Sequence, residues 1–324
     1  MTKSKIIAST AIATVMSASA AQAEISISGG MAGWFITGDS MTSVSRQWNT
    51  ESVNVTYSDT LDNGMGISVT ANVGETGNTH RGFHTTSNDD VNLTMTISSD
   101  MGSLTFGDQM ASATDRADNI VSLSLFECCT WSATLMDGMG GTNGQYHDGD
   151  NMSGAANEGF EYTAPSMNGW TLRLSHMPTA DRASEGAEDS NQASLSGSLA
   201  GINVAAGINS MGDSATGTAG RDSTFVAAAM GLGPMSVSVG MFEGGAAAAD
   251  ATTIVVDMPI MGMSGKAAFV DMDDAGGYDD SGYRLGLAKS LGAATFGIEY
   301  DNADTASGDA GEIETWRLGY QVYF

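Results

Sequence analysis

Apolar and polar residues alternate along most of this chain, in separate segments of about ten residues each. In one segment, residues 91–98, the odd-numbered positions hold Val, Leu, Met and Ile, and the even-numbered positions hold Asn, Thr, Thr and Ser. Because successive side chains of a β-strand point to opposite faces, this pattern predicts a strand with one apolar face and one polar face.

The alternating segments number about sixteen, which is an even number. Each is bounded by Gly, Pro, Asn or Asp residues that are typical of turns. The Gly-rich segments near residues 158 and 250 show the weakest alternation. The predicted strands cover residues 24–37, 45–58, 64–74, 89–99, 102–109, 158–164, 169–178, 190–199, 201–210, 221–231, 234–243, 250–258, 262–272, 281–290, 292–302 and 312–324.

The connections between these strands alternate in length. Longer loops, rich in Gly and acidic residues, fall between short turns; examples are 74–88, 178–189, 271–280 and 302–311. The short turns are predicted at 59–64, 100–102, 165–169, 200–201, 232–233, 259–262 and 291–292. This rhythm favours an up-and-down antiparallel β-barrel whose two rims face different compartments.

A membrane accounts for where the apolar faces point. Strands can cross a bilayer only as a closed ring, because every backbone N–H and C=O needs a partner there. A ring of sixteen strands is too wide for side chains to fill, so its inner face must be polar and wet. The predicted inner positions at 92–98 and 194–198 carry almost no bulky apolar residue. A soluble β-sandwich shows the same alternation, so the pattern alone leaves both folds open.

The two ends of the chain favour the outer membrane. Residues 1–23 have a basic head, an apolar middle and the end Ala21-Gln22-Ala23, which predicts a secretory signal peptide. The remaining residues, 24–324, are then a single barrel domain. The last predicted strand has an apolar or aromatic residue at every second position and ends at Phe324, and it resembles the C-terminal strand of bacterial outer-membrane proteins.

Charge and cysteine content exclude other classes. The formal net charge is −26, which argues against nucleic acid or anionic lipid surfaces as partners. The only cysteines, Cys128 and Cys129, are adjacent and offer no disulfide framework. They form either a packed apolar patch or a reactive thiol pair. After residue 23 no apolar run is long enough for a membrane helix.

One loop is far longer than the others and carries a family resemblance. Residues 110–157 follow the strand Gly-Ser-Leu-Thr-Phe-Gly-Asp-Gln at 102–109, and the mature chain starts with Glu-Ile-Ser-Ile-Ser-Gly at 24–29. This layout, with the aromatic end, resembles alphaproteobacterial general diffusion porins. The resemblance implies a homotrimer in outer-membrane lipid, with the third loop folded into the barrel lumen.

The resemblance also implies a constriction in which loop carboxylates face basic groups of the barrel wall. The candidate acids of the loop are Asp115, Asp118, Glu127 and Asp137. Strand alternation places four arginines between lipid-facing residues and therefore on the inner face, and exclusion of charge from lipid is the alternative explanation for that placement. These wall candidates are Arg46, Arg173, Arg284 and Arg317.

The sequence thus predicts a water-filled channel for passive passage of ions and small hydrophilic solutes, cation-selective because 38 acids outnumber 12 bases. Two alternatives remain: a substrate-selective outer-membrane channel, and a secreted β-rich surface adhesin. No enzyme motif and no cofactor site are expected. Acidic loop residues are candidate Ca²⁺ ligands, with solvated loop charge as the simpler explanation. These are Asp271, Asp273 and Asp274.

Overall fold

The structure is a computed structural model that describes residues 23–38, 41–74, 91–107, 120–121, 125, 159–177, 190–211, 222–244, 250–273, 279–305 and 311–324. It contains sixteen β-strands, which confirms the predicted number. In chain order these are β1 Glu24–Gly38, β2 Met41–Thr60, β3 Gly66–Gly74, β4 Val91–Ser99, β5 Gly102–Gly107, β6 Gly159–Thr163, β7 Trp170–Met177, β8 Ser190–Leu199, β9 Ile202–Met211, β10 Asp222–Leu232, β11 Met235–Gly244, β12 Asp250–Ile260, β13 Met263–Asp273, β14 Asp279–Leu291, β15 Ala294–Thr305 and β16 Gly311–Tyr323.

The strands close into one antiparallel barrel. Each strand pairs with its neighbours in the sequence, and β1 pairs with β16 to complete the ring. Beyond the last paired residues, Gly29 and Phe324 exchange two backbone hydrogen bonds of 2.9 Å. The ring therefore has no free edge, as a barrel in a bilayer requires. The predicted fold class is confirmed.

Tight turns join the strands at one rim. Ala200-Gly201 and Met261-Gly262 are two-residue connections in which all four residues have φ between 52° and 84°. Such turns match the right-handed twist of the strands that they join, and Gly at the second position adopts positive φ without steric cost. Ala200 and Met261 have a Cβ, and so they adopt this backbone conformation at a cost.

The outer and inner faces of the barrel differ in polarity as the alternation predicts. Apolar residues on the outer face are exposed, for example Leu172, Leu285 and Leu318 at 42%, 50% and 57% of their surface. Alternate residues on the same or neighbouring strands, such as Ser194 and Gln321, are buried. Apolar side chains thus point outward from the barrel wall, and polar side chains point into the lumen.

One expectation about the inner face is wrong. Phe225, Val255 and Val270 alternate with exposed outer residues and are buried inside the barrel, and Phe242 packs with Phe225. Phe225 is tolerated on this wall because Ile120 and Val121 of the third loop pack against it. No helix in the described part of the chain is long and apolar enough to cross a membrane.

Candidate pore lumen

The described residues of the third loop contact the inner wall at two places. At the first, Ile120 and Val121 pack against an apolar patch formed by Ala205, Phe225 and Ala227 of β9 and β10. Val121 also lies over Gly240 of β11, where an added Cβ would come within 3.3 Å of its side chain. This contact explains the inward Phe225 and holds the described part of the loop against the inner wall.

The second contact is a hydrogen bond. The backbone N–H of Leu125 donates to Oε1 of Glu299 on β15, at 2.7 Å. The Leu125 side chain lies over Gly286 of β14, where an added Cβ would be 2.6 Å from its Cδ1. The described loop residues therefore run along the inner wall from the apolar patch on β9–β11 to the polar contact on β14 and β15.

Glu299 belongs to a buried ion-pair cluster with Arg284, Asp301 and Arg317. Asp301 accepts from Arg284 at 2.5 Å and 3.0 Å, and it accepts from Arg317 at 2.5 Å. A second carboxylate, Glu299, lies 3.6 Å from Arg317. All four residues are at most 3% exposed. Two arginines are therefore matched by two carboxylates of the wall itself.

The register of neighbouring strands brings this cluster together. Arg284 on β14 stands directly opposite Asp301 on β15, and Glu299 on β15 stands opposite Arg317 on β16. Cross-strand partners on one face are within reach of each other's side chains, and a forked guanidinium suits two carboxylates. Sequence analysis found both arginines but missed both acids, although these occupy the polar face of the predicted strand 292–302.

The remaining wall candidates lie elsewhere. Arg173 on β7 faces inward and donates to the Ser196 hydroxyl at 3.0 Å. The register of β2 against β1 shifts between Ala32 and Gly33, so simple alternation no longer predicts the face of Arg46. Its side chain lies outside the part of the chain that the structure describes.

A further inner cation was not among the predicted residues. Lys266 on β13 lies 3.1 Å from Asp257 on β12. Both residues line a cavity of 610 Å³ near the turn rim, and Leu125 lines it as well. The cavity is a vestibule between the third loop and the turn rim, with a paired charge in its wall.

The predicted acids of the third loop, Asp115, Asp118, Glu127 and Asp137, fall outside the described residues, as does Asp274. Asp273 is described only in its backbone, and Asp271 at the end of β13 is exposed. The described residues contain no group of three His, Cys, Asp or Glu side chains that could hold a metal ion. The proposed calcium site and the carboxylates of the constriction therefore remain predictions.

A family model described as Gram-negative porin matches residues 8–322. Solved structures share the fold. An anion-selective porin from Comamonas acidovorans is 11% identical with a TM-score of 0.68, and the alignment covers 94% of this chain and 100% of that chain. A loop-deletion mutant of OmpT, an outer membrane protein of Vibrio cholerae, is 12% identical with a TM-score of 0.67, over 93% and 99% of the two chains. A mutant of the Rhodobacter blastica porin is 16% identical with a TM-score of 0.65, over 93% and 100%. No curated protein sequence matches the chain significantly.

Proposed function

The chain belongs to the Gram-negative porin family and is an outer-membrane channel, and on this premise we propose that it is a general diffusion porin. Ions and small hydrophilic solutes would cross its water-filled lumen passively, without chemistry. The observation that carries this proposal is a closed barrel with an apolar outside and a polar inside, narrowed by a loop that contacts its inner wall. A lumen of this kind discriminates by size and charge.

Conductance of the purified protein in planar bilayers tests this proposal. A general diffusion porin gives a current that rises in proportion to voltage and to salt concentration. The alternative, a substrate-selective channel, would instead show saturable block by one sugar or acid. The other alternative, a surface adhesin, would give no conductance steps at all.

We also propose that the pore prefers cations. The Comamonas structure shows that this fold accommodates an anion-selective pore, so the fold does not decide the sign. The charge balance favours cations, because acids outnumber bases 38 to 12 and the basic groups Arg284, Arg317 and Lys266 are paired with wall carboxylates. A reversal potential measured across a potassium chloride gradient would favour potassium, and a value that favours chloride would overturn this proposal.

A homotrimer is the third part of the proposal. The sequence resemblance to general diffusion porins implies it. Chemical cross-linking in native membranes would yield a three-chain species, and a single-chain species alone would contradict this assembly.

A further inference from the structure

We propose that Met101, Met167 and Met261, which lie in three of the short turns, are sites of reversible oxidation to methionine sulfoxide by small peroxides. Each of these turn methionines consumes one peroxide molecule, and the barrel stays intact. The inference adds a chemical activity to the proposed channel and does not depend on conduction.

The turn methionines are unusually exposed. Met101, Met167 and Met261 expose 78%, 72% and 95% of their surface, more than any other methionine whose side chain the structure describes. They lie in the turns β4–β5, β6–β7 and β12–β13, all at the same rim. Oxidation of a side-chain sulfur follows its exposure, so these three thioethers are open to an oxidant dissolved in water.

Charged groups beside the turns show that this rim meets water. The exposed Asp100 directly precedes Met101. The ammonium group of Lys289 donates to the carbonyl of Gly262, the residue after Met261, at 2.5 Å. Charged side chains are disfavoured in the hydrocarbon of a bilayer, so the turns lie at its aqueous boundary, where small peroxides dissolve.

Folding does not account for a methionine at position 261. Its φ of 52° is a conformation that Gly and Asn adopt more readily than Met. Its side chain is almost wholly exposed and therefore buries little apolar surface. Conversion of this thioether to the polar sulfoxide removes almost no packing contact, so oxidation here leaves the barrel stable.

Met241 on β11 provides the contrast, because it is exposed to lipid rather than to water. It exposes 61% of its surface on the outer face and stands opposite Val226, which is exposed on the same face. A sulfoxide at this position would lack hydrogen-bond partners, which disfavours the oxidised form. Surroundings therefore distinguish Met241 from the turn methionines, although all of them are exposed.

The reaction transfers one oxygen atom. The sulfur lone pair attacks one oxygen of the peroxide, the O–O bond breaks as the S–O bond forms, and the proton of the transferred oxygen passes to the leaving oxygen. With hydrogen peroxide the products are the sulfoxide and water. The sulfur loses two electrons and the peroxide gains them. Methionine sulfoxide reductases reverse the oxidation, one enzyme for each sulfoxide epimer.

The test treats the protein in lipid vesicles with hydrogen peroxide and follows each methionine by peptide mass spectrometry. Cys128 and Cys129 are first replaced by serine, so that thiols do not consume the oxidant. We expect the turn methionines to be oxidised about tenfold faster than Met241. The midpoint of urea unfolding should stay that of the untreated protein, and both sulfoxide reductases with dithiothreitol should restore the thioethers.

A variant that combines Met101→Leu, Met167→Leu and Met261→Leu measures the oxidant consumed at the turns. It should consume one peroxide molecule fewer for each replaced methionine, and the control variant Met241→Leu should consume as much as the parent in the same early phase. The inference is overturned if Met241 is oxidised as fast as the turn methionines, or if their oxidation lowers the unfolding midpoint. Neither readout uses conductance, so a failure of the proposed channel function is detected separately.

Discussion

Asp301 is a wall carboxylate that binds both buried arginines. Its two oxygens accept from Arg284 and Arg317, and the residue is 2% exposed. A charge buried without its partner is strongly destabilising, because neither water nor a counter-ion replaces the lost carboxylate. The stability of this part of the wall therefore depends on Asp301 more than on any single arginine.

We predict that Asp301→Ala lowers the free energy of unfolding by about 3–5 kcal/mol. The measurement is urea unfolding of the protein folded into lipid vesicles, followed by tryptophan fluorescence. Asp222→Ala removes an exposed carboxylate from β10 and serves as the control, with an expected change within about 0.5 kcal/mol. Equal effects of the two substitutions would contradict the role given to the cluster.

At the residue scale, the sequence predicts which face of the barrel a side chain occupies more readily than which side chain it pairs with. Alternation placed Arg284 and Arg317 on the inner face, and both lie there. It could not show that Asp301 and Glu299 stand opposite them, because the register between two strands depends on the whole hairpin. The family resemblance instead points to acids of the long loop.

At the scale of elements, the turn between β12 and β13 carries backbone strain. Met261 has φ of 52° and is 95% exposed, so its side chain gains little from packing there. Asn adopts this conformation more readily than other residues with a Cβ. A single substitution at Met261 can therefore stabilise this turn.

We predict that Met261→Asn raises the free energy of unfolding by about 0.5 kcal/mol. The matched control is Met101→Asn, in the exposed turn between β4 and β5, where φ is not positive. Both variants are compared with the parent in the same urea titration. A gain at both positions would point to the loss of exposed Met rather than to turn geometry.

Another prediction at this scale concerns the contact between the third loop and β14. Gly286→Val would place side-chain atoms in the space that Leu125 occupies, and so it should push the loop off the wall and strain the Leu125 hydrogen bond to Glu299. Single-channel recordings should show a changed conductance with larger fluctuations. Adding Leu125→Ala to the same chain should restore the parent conductance.

The control for this experiment is Gly231→Val, because a Cβ at Gly231 meets nothing within 4 Å. Its conductance should equal that of the parent. If Gly286→Val also leaves conductance unchanged, Leu125 does not position the part of the loop that narrows the lumen.

Strand number and turn positions could be predicted from the sequence, whereas local departures from alternation could not. The shift in the register between β1 and β2, at Ala32 and Gly33 of β1, has no strong sequence signal, and it removes the basis for placing Arg46. An inward Phe225 agrees with a wet lumen only where other residues cover it, and the loop residues that do so are distant from it in the sequence.

For the whole molecule, the acidic excess leads to a prediction about salt. We expect the preference for potassium over chloride to decrease as the concentration rises from 0.1 M to 1 M, because the Debye length falls from about 10 Å to about 3 Å. Reversal potentials at a fixed concentration ratio measure this. A preference that does not change with salt would show that selectivity comes from a charge in direct contact with the ion.

The architecture as a whole was the most predictable part. Alternation, an even strand count and the long and short connections each agree with one closed barrel, and the structure has that barrel. The constriction is less predictable, because no strand alternation assigns a side chain of the long loop to a face, and its candidate acids lie outside the described residues.

Neighbours in the ring are also neighbours along the chain, with the β1 and β16 seam as the one exception. Mechanical extraction of the protein from a membrane by one terminus should therefore break this seam first. After that, each hairpin can peel away while the rest of the sheet stays bonded. A force–extension curve would then show a series of similar unfolding steps, one for each hairpin, in place of a single rupture.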